Sequence, residues 1–288
     1  MFGRKIKNYK FKLLNYSKYI FLYKILILIG AIFKFIKVKI RRKEYKIFSD
    51  IIDDINKYEY RKFSQNNEDG IIEYILKKTE LKKINFVEIG FDFYENNSLN
   101  LFKETEKGLL IDADHDKCFL MKAIIFIFYF FKNIKVENSR VNKNNINDLI
   151  IKKFGNDKVD ILSIDIDGID LYIFEALDIR PKIIVIEYNF WLGPNQSLTI
   201  PYDENFIWKK DIYGGGSLLA MCKIAYKKDY YLIGTDSSCT NAFFIHKDFK
   251  DIFEILDPEI KFKRPLRYTK QDFAIAKSFL DDKIFNTI

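Results

Sequence analysis

Acidic and amide side chains crowd two short stretches of this sequence. The first runs from Val159 to Asp170 and carries Asp165, Asp167 and Asp170. The second runs from Ile183 to Asn189 and closes on Glu187 and Asn189. Each follows an apolar, β-branched run of strand type, so these groups stand at or just past strand ends. Alternation along a strand turns Asp165 and Asp167 to the same side, and adjacent strands lie only about 5 Å apart. Carboxylates and a carboxamide are hard oxygen donors of the kind Mg2+ or another divalent cation takes, which makes Asp165, Glu187 and Asn189 candidate metal ligands. A carboxylate can also draw the proton from a hydroxyl that is otherwise a poor nucleophile, so Asp167, Asp165 and Glu187 are the candidate catalytic residues. The plainer reading is that Asp167 caps a helix starting near Ile169 and that Asp170 merely favours its first turn.

Two further strand ends carry binding chemistry. Phe86–Gly90 closes on a glycine, which allows close backbone approach and lets the next helix start face a ligand. Leu110–Asp114 offers Asp112, an acid at the end of the second strand, suited to the two hydroxyls of a ribose. Some 22 residues separate the two ends. The phosphate-binding pattern GxxxxGK[ST] is absent, and so is a full GxGxxG. One glycine plus one acid fits a nucleoside without a pyrophosphate, and S-adenosylmethionine is a common cofactor of that description. His115 and His246 are the only histidines, which makes a Ser-His-Asp triad or a His-rich metal site a poor fit. Cys118, Cys222 and Cys239 are too few and too scattered for a disulfide scaffold or a Cys-rich zinc module.

The elements that must position these residues alternate. Strands are predicted at Asn85–Gly90, Gly108–Asp112, Ile134–Val136, Asp160–Asp165 and Lys182–Glu187. Helices are predicted at Ser98–Glu106, Asp116–Phe131, Asn144–Phe154, Ile169–Leu177 and Ser217–Lys228. Tyr230–Gly234 and Asn241–His246, around a turn-rich gap, read as an antiparallel hairpin. The alternation predicts an α/β fold with a doubly wound, mostly parallel sheet, whose ligands bind at the carboxyl ends of the strands.

Charge divides the chain. Residues 1–48 hold 14 Lys/Arg and one acid, a balance of +13, and the rest balances to −5 within a net +8. The mildly acidic body argues against general nucleic-acid binding. Tyr19 to Ile36 is apolar apart from Lys24 and Lys34, and its longest uncharged run, Ile25–Phe33, is nine residues, against the roughly 20 a spanning helix needs. Three readings stand for this segment: a basic helix on an anionic membrane surface, a helix packed on the body's own core, or an anchor with snorkelling lysines. The expected organisation is a basic apolar helical segment (1–48), a catalytic body (49–250) and a helical tail (251–288).

Several blocks together resemble the FkbM-like branch of S-adenosylmethionine-dependent methyltransferases: Ser64–Ile72, Phe86–Gly90 with Asn96–Ser98, Leu110–Asp114, Leu162–Gly168, Val185–Asn189, Pro201–Asp203, Gly214–Leu218 and Asn241–Phe244. Their order and spacing agree over about residues 60–248. The resemblance implies a seven-stranded Rossmann-like sheet with the last strand antiparallel. It implies Gln65, Glu88, Gly90 and Asp165 beside the cofactor, Asp112 on the ribose, and Asn138 or Ser139 near the adenine. It also implies O-methylation of a sugar or sugar-linked group of a bacterial surface polysaccharide, in the cytoplasm or on the inner membrane surface. The sequence departs from the family after Gly90, where Phe91-Asp92-Phe93-Tyr94 stands in place of an Asp-Gly. That departure keeps a second reading in play, a catalytically silent module docking at the membrane. The expected partners are a small-molecule or carbohydrate acceptor, an anionic membrane surface and, for a homo-oligomer, a second copy of the chain.

Overall fold

The computed structural model describes residues 22–49, 52–155 and 158–288. Six parallel strands and one antiparallel strand form the main sheet, in the order β3-β2-β1-β4-β5-β8-β7. These are β1 (Ile84–Ile89), β2 (Thr105–Asp112), β3 (Asn133–Asn138), β4 (Ile161–Ile164), β5 (Ile183–Glu187), β7 (Tyr230–Thr235) and β8 (Asn241–His246). β8 runs antiparallel between β5 and β7, as the hairpin reading and the family resemblance both lead one to expect. The order reverses between β1 and β4, which opens the crevice where ligands of doubly wound sheets sit.

Strand pleating sorts the core into two layers. Val87, Ile89, Leu109, Ile111, Leu162, Ile164, Ile184 and Ile186 face one side, under α4 (Ile146–Phe154), α5 (Asp170–Ala176) and α6 (Leu218–Lys227). Ile84, Phe86, Leu110, Ile161, Ile183 and Val185 face the other, under α2 (Glu68–Lys78) and α3 (His115–Phe128). That second layer also takes a helix α1, described over residues 22–39, through Phe35 and Val38. Phe35 is fully buried and packs on Phe128 and Tyr129, with ring centroids 5.2 and 6.3 Å apart. The core-packed reading therefore holds for the C-terminal half of α1. Among the described residues no helix is long and apolar enough to cross a membrane.

The helix expected at Ser98–Glu106 is absent. A single 3-10 turn at Leu99–Leu101 stands there, and β2 begins early, at Thr105. The chain has only a few residues in which to swing back and pair Thr105 with Ile84, and Asn97 and Ser98 are held by Glu88, so a helix cannot form. The segment after residue 250 packs onto the body. Lys263 is fully buried, ion-paired to Asp53, and donates to Asn56 Oδ1 at 2.7 Å and the Thr235 carbonyl at 2.8 Å. Beyond it lie α7 (Lys270–Asp281) and the short strand β9 (Asn286–Thr287), paired with β6 (Leu198–Thr199).

The two faces of α1 give a direct test of its packing. Phe35→Ala should cost about 3–5 kcal/mol by leaving a cavity. Phe33→Ala, on the outward face, should stay within about 0.5 kcal/mol. Urea unfolding of the two variants measures the difference.

Candidate active site

The crevice is shaped first by backbone. Gly90 has φ +78°, and a Cβ there would lie 1.6 Å from the Asp165 carbonyl oxygen. Any larger residue would push β1 and β4 apart at their ends, so the glycine serves the strand crossing as well as the turn. The Gly90 amide donates to the Ile111 carbonyl at 2.9 Å and the Asp165 amide to that of Ile89 at 2.9 Å, fastening three strand ends together.

The parallel register of β4 and β5 pairs Ile164 with Ile186, so the next residues, Asp165 and Glu187, meet. Their carboxyl groups hydrogen-bond to each other. Asp167 joins them: single oxygens of Asp165, Asp167 and Glu187 all lie within 4.8 Å of one another. Asp167 does this at φ +58°, a conformation unusual for a non-glycine residue and found preferentially where function requires it. It does not cap α5. Asp170 ties that turn instead, accepting from the amides of Ile166 and Gly168 at 2.8 Å each.

The Asn189 side chain is engaged by the turn that follows β5. Its Oδ1 accepts from the Trp191 amide at 3.0 Å, and its Nδ2 donates to the carbonyls of Ile212 and Gly214. An Asn just past a strand end has a ready role as cap of the next turn, and here that role prevails. Asp167 stands as the third carboxylate beside Asp165 and Glu187. Behind the cluster, pleating places Asn241 beside Glu187, and Asn241 donates to Glu68 at the start of α2 at 2.7 Å. Neither Glu68 nor Asn241 stood out as a site residue in the sequence, because nothing local shows that α2 ends against β8.

These acids hold their protons far above ordinary carboxyl values. Burial raises Asp165, the nearby charges of Asp170 and Asp167 raise it further, and it reaches about 8. Glu187 is driven well up by burial and by Asp165. Like charges this close cannot all ionise, so the Asp165–Glu187 pair keeps at least one proton at neutral pH. Asp167 is raised by burial but pulled back by Lys117.

On the other side of the crevice, Asp112 Oδ2 accepts from the Phe91 amide at 3.2 Å and Oδ1 from the Asp114 amide at 2.6 Å. Each carboxylate oxygen has further acceptor capacity for a ligand hydroxyl. Lys117 Nζ lies 3.9 Å from Asp112. Asn138 holds the end of β2 by donating to the Asp112 and Ala113 carbonyls, and the Ser139 amide donates to Asp112 as well, so both border the Asp112 turn. Asp92 Oδ1 is buried without a hydrogen-bond partner, an acceptor waiting for a donor.

Two expected cofactor residues are placed differently. Glu88 is buried, with its oxygens taken by the amides of Asn97 and Ser98 and by the Ser98 hydroxyl. Its role is to anchor the loop, and burial raises it to about 7. Gln65 is exposed on the turn before α2, and among the described residues no contact joins it to Asp112 or to the carboxylates.

The loop that departs from the family is clasped by α1 and the segment after it. Lys34 Nζ sits 3.1 Å over the Tyr94 ring, and Glu95 receives both Arg41 (3.2 Å) and Arg61 (2.6 Å). A second loop, 200–216, approaches from the opposite side. Arg140 donates to the carbonyls of Glu204 and Phe206, the Phe206 ring fills the space where Gly168 has no side chain, and Gly214 lies against the Asp167 carbonyl.

No protein-family model and no curated protein matches the chain. Solved structures do. One is a magnesium protoporphyrin IX methyltransferase, ChlM, from Synechocystis PCC 6803 with bound SAM, at 10% identity over 62% of this chain and 77% of that one, TM-score 0.43. Another is an S-adenosylmethionine-dependent methyltransferase from Clostridium acetobutylicum ATCC 824, at 11% identity over 62% and 90%, TM-score 0.43. A third is the O-methyltransferase TomG from Streptomyces achromogenes, involved in tomaymycin synthesis, in complex with SAM, at 10% over 64% and 82%, TM-score 0.40. The strand order, rather than these distant likenesses, defines the fold.

The shared proton sets a pH dependence. The folded state holds it above the pKa of the unfolded chain, so rising pH deprotonates the unfolded chain first. The cluster thus favours folding at acid pH, and that contribution is lost as pH rises from ordinary carboxylate values to about 8. In thermal melts at pH 5 and pH 8, the Asp165→Asn/Glu187→Gln variant should gain stability over wild type at pH 8 and show little difference at pH 5. An equal difference at both pH values would mean that no proton is shared.

Proposed function

We propose that this chain is an S-adenosylmethionine-dependent O-methyltransferase acting on a hydroxyl of a sugar or sugar-linked group, with the surface polysaccharide as the acceptor class the family resemblance suggests. The observation that carries the reading is the division of the crevice. Gly90, Asp112 and the orphaned Asp92 oxygen line one side with acceptors suited to a nucleoside's hydroxyl and amino groups, and three converging carboxylates line the other.

Bound S-adenosylmethionine supplies a methyl group on a positively charged sulfur. Asp112 holds the ribose hydroxyls and Asp92 takes a donor from the same ligand. Gly90 keeps the floor free of side chains, so the ligand can lie directly on the strand ends. Transfer is an in-line displacement, so orientation carries much of the rate. Asp167 would take the proton of the acceptor hydroxyl on a carboxylate oxygen while the acceptor's own oxygen bonds to the methyl carbon and the carbon–sulfur bond breaks, the sulfur leaving as a neutral thioether. Asp167 is the exposed member of the three, open to an incoming hydroxyl, and its raised pKa makes it a stronger proton acceptor than an ordinary carboxylate. Asp165 and Glu187 accept and orient further acceptor hydroxyls. The three carboxylates also fit a divalent cation, which would displace the shared proton and lower the pKa of the acceptor hydroxyl. Loop 200–216 supports the sugar assignment through Trp208, 40% exposed beside Gly214, a flat apolar ring of the kind sugars stack on.

Calorimetry with S-adenosylmethionine tests the cofactor side. Saturable binding is expected, and Asp112→Ala should weaken it by about 1–3 kcal/mol. An unchanged affinity would move the ribose contact away from Asp112. On the chemical side, Asp167→Asn should abolish methyl transfer while leaving cofactor affinity intact. Turnover lost in EDTA and restored by Mg2+ or Mn2+ would assign the carboxylates to a cation, and full turnover in chelator would leave Asp167 acting alone.

A further inference from the structure

The outward face of α1 is apolar where a helix on the surface of a globular domain ordinarily turns polar side chains to water. With 3.6 residues per turn, Ala31, Phe35 and Val38 form the inner stripe, and all three are buried. Leu22, Leu26, Ile29, Phe33, Ile36 and Ile40 recur at spacings of four and three on the opposite side. Each is at least 38% exposed, and Phe33 is 68% exposed. Exposed aromatic side chains also stand on and after the end of α3, which touches α1 through Phe128. Phe126 is 77% exposed, and Phe130 and Phe131 follow the helix end in the open.

We propose that this double-faced helix, together with the outer end of α3, docks the protein flat on an anionic lipid bilayer, with the inner stripe holding the body and the outer stripe entering the headgroup boundary. Charge selects this occupant over a second copy of the chain. The described part of α1 carries Lys24, Lys34, Lys37 and Lys39 and no acid, and Lys122 and Lys132 lie on and just after α3. Residues 1–21 of the sequence add six more basic residues and no acid. Two such helices laid side by side would bring like charges together along both edges of the seam, which opposes pairing. An anionic surface meets this positive charge with attraction; Lys34 and Lys39 cover the Tyr94 and Phe128 rings, and the long stems of Lys24 and Lys37 can carry their ammonium groups to the headgroups while the apolar stripe sinks in. Among the described residues no helix is long and apolar enough to cross a bilayer, so the proposed contact is one of lying on the surface. Since Phe35 and Val38 belong to the core, the docking device cannot be removed by truncating residues 1–48 without exposing the body's interior.

Flotation of the full chain with phosphatidylcholine vesicles, with and without phosphatidylserine, tests this, alongside light scattering in the absence of lipid. The protein should float with the phosphatidylserine vesicles, stay behind with phosphatidylcholine alone, and lose binding as salt rises. Leu26→Asp/Phe33→Asp should lower the bound fraction about tenfold or more, because both side chains lose their apolar contact with lipid. Its circular dichroism should match wild type, since neither residue is in the core. Lys24→Glu/Lys37→Glu offers a second variant that leaves the apolar face intact and should also abolish the preference for phosphatidylserine. Absence of flotation overturns the proposal. So does a lipid-free dimer that Leu26→Asp/Phe33→Asp converts to monomer, since the outer stripe would then be a homodimer seam.

Discussion

Buried and half-buried carboxylates placed within reach of one another must find protons, amides or cations, and the carboxyl edge of this sheet is organised around that demand. Glu88 is satisfied by the backbone of residues 97 and 98, and Asp170 by the amides of Ile166 and Gly168. Glu68 takes the Asn66 amide and the Asn241 side chain. Each of these acids fixes a loop through the donors it accepts on both oxygens. Asp165 and Glu187 answer mainly to each other, which leaves them the responsive members of the set. A polar pair of this kind is a weak source of stability, because desolvation offsets much of what the contact returns. Its value lies in readiness for a proton, a hydroxyl or a cation.

The loop after Gly90 shows a second solution to a local problem. Without a second glycine the chain cannot turn as tightly, and the loop is instead held by its neighbours. Phe91 is buried, Phe93 and Tyr94 pack edge to face 4.9 Å apart, and Lys34 caps the Tyr94 ring. Two arginines share the Glu95 carboxylate, an arrangement that holds geometry better than an isolated surface pair. The N-terminal helix is therefore mechanically continuous with one wall of the crevice.

Much of this was legible in the residues themselves. Strand–helix alternation, the acids at strand ends, Gly90, and the closing hairpin all follow from periodicity and turn chemistry, which act over a few residues and leave their mark locally. The strongly basic, apolar start of the chain announced a helix, and left open whether it packs on the body's core or meets a membrane. Pleating alone placed Asp165 and Glu187 side by side once β4 and β5 were known to be neighbours.

Tertiary structure decided what depends on partners distant in sequence. Asn189 has the right oxygen for a cation, yet the carbonyls of Ile212 and Gly214 and the Trp191 amide claim its side chain first. Glu88 looks like a cofactor residue until the return of loop 96–98 buries it. Glu68 and Asn241 stand 173 residues apart and meet only because β8 inserts beside β5 and α2 covers that face. The expected helix at Ser98–Glu106 had adequate local pattern and lost to the early start of β2. Local sequence sets which residues could do chemistry, because side-chain type and spacing are local properties. Which of them are free to do it depends on the hydrogen bonds they have already made, and those are settled by the packing of segments that the sequence keeps far apart.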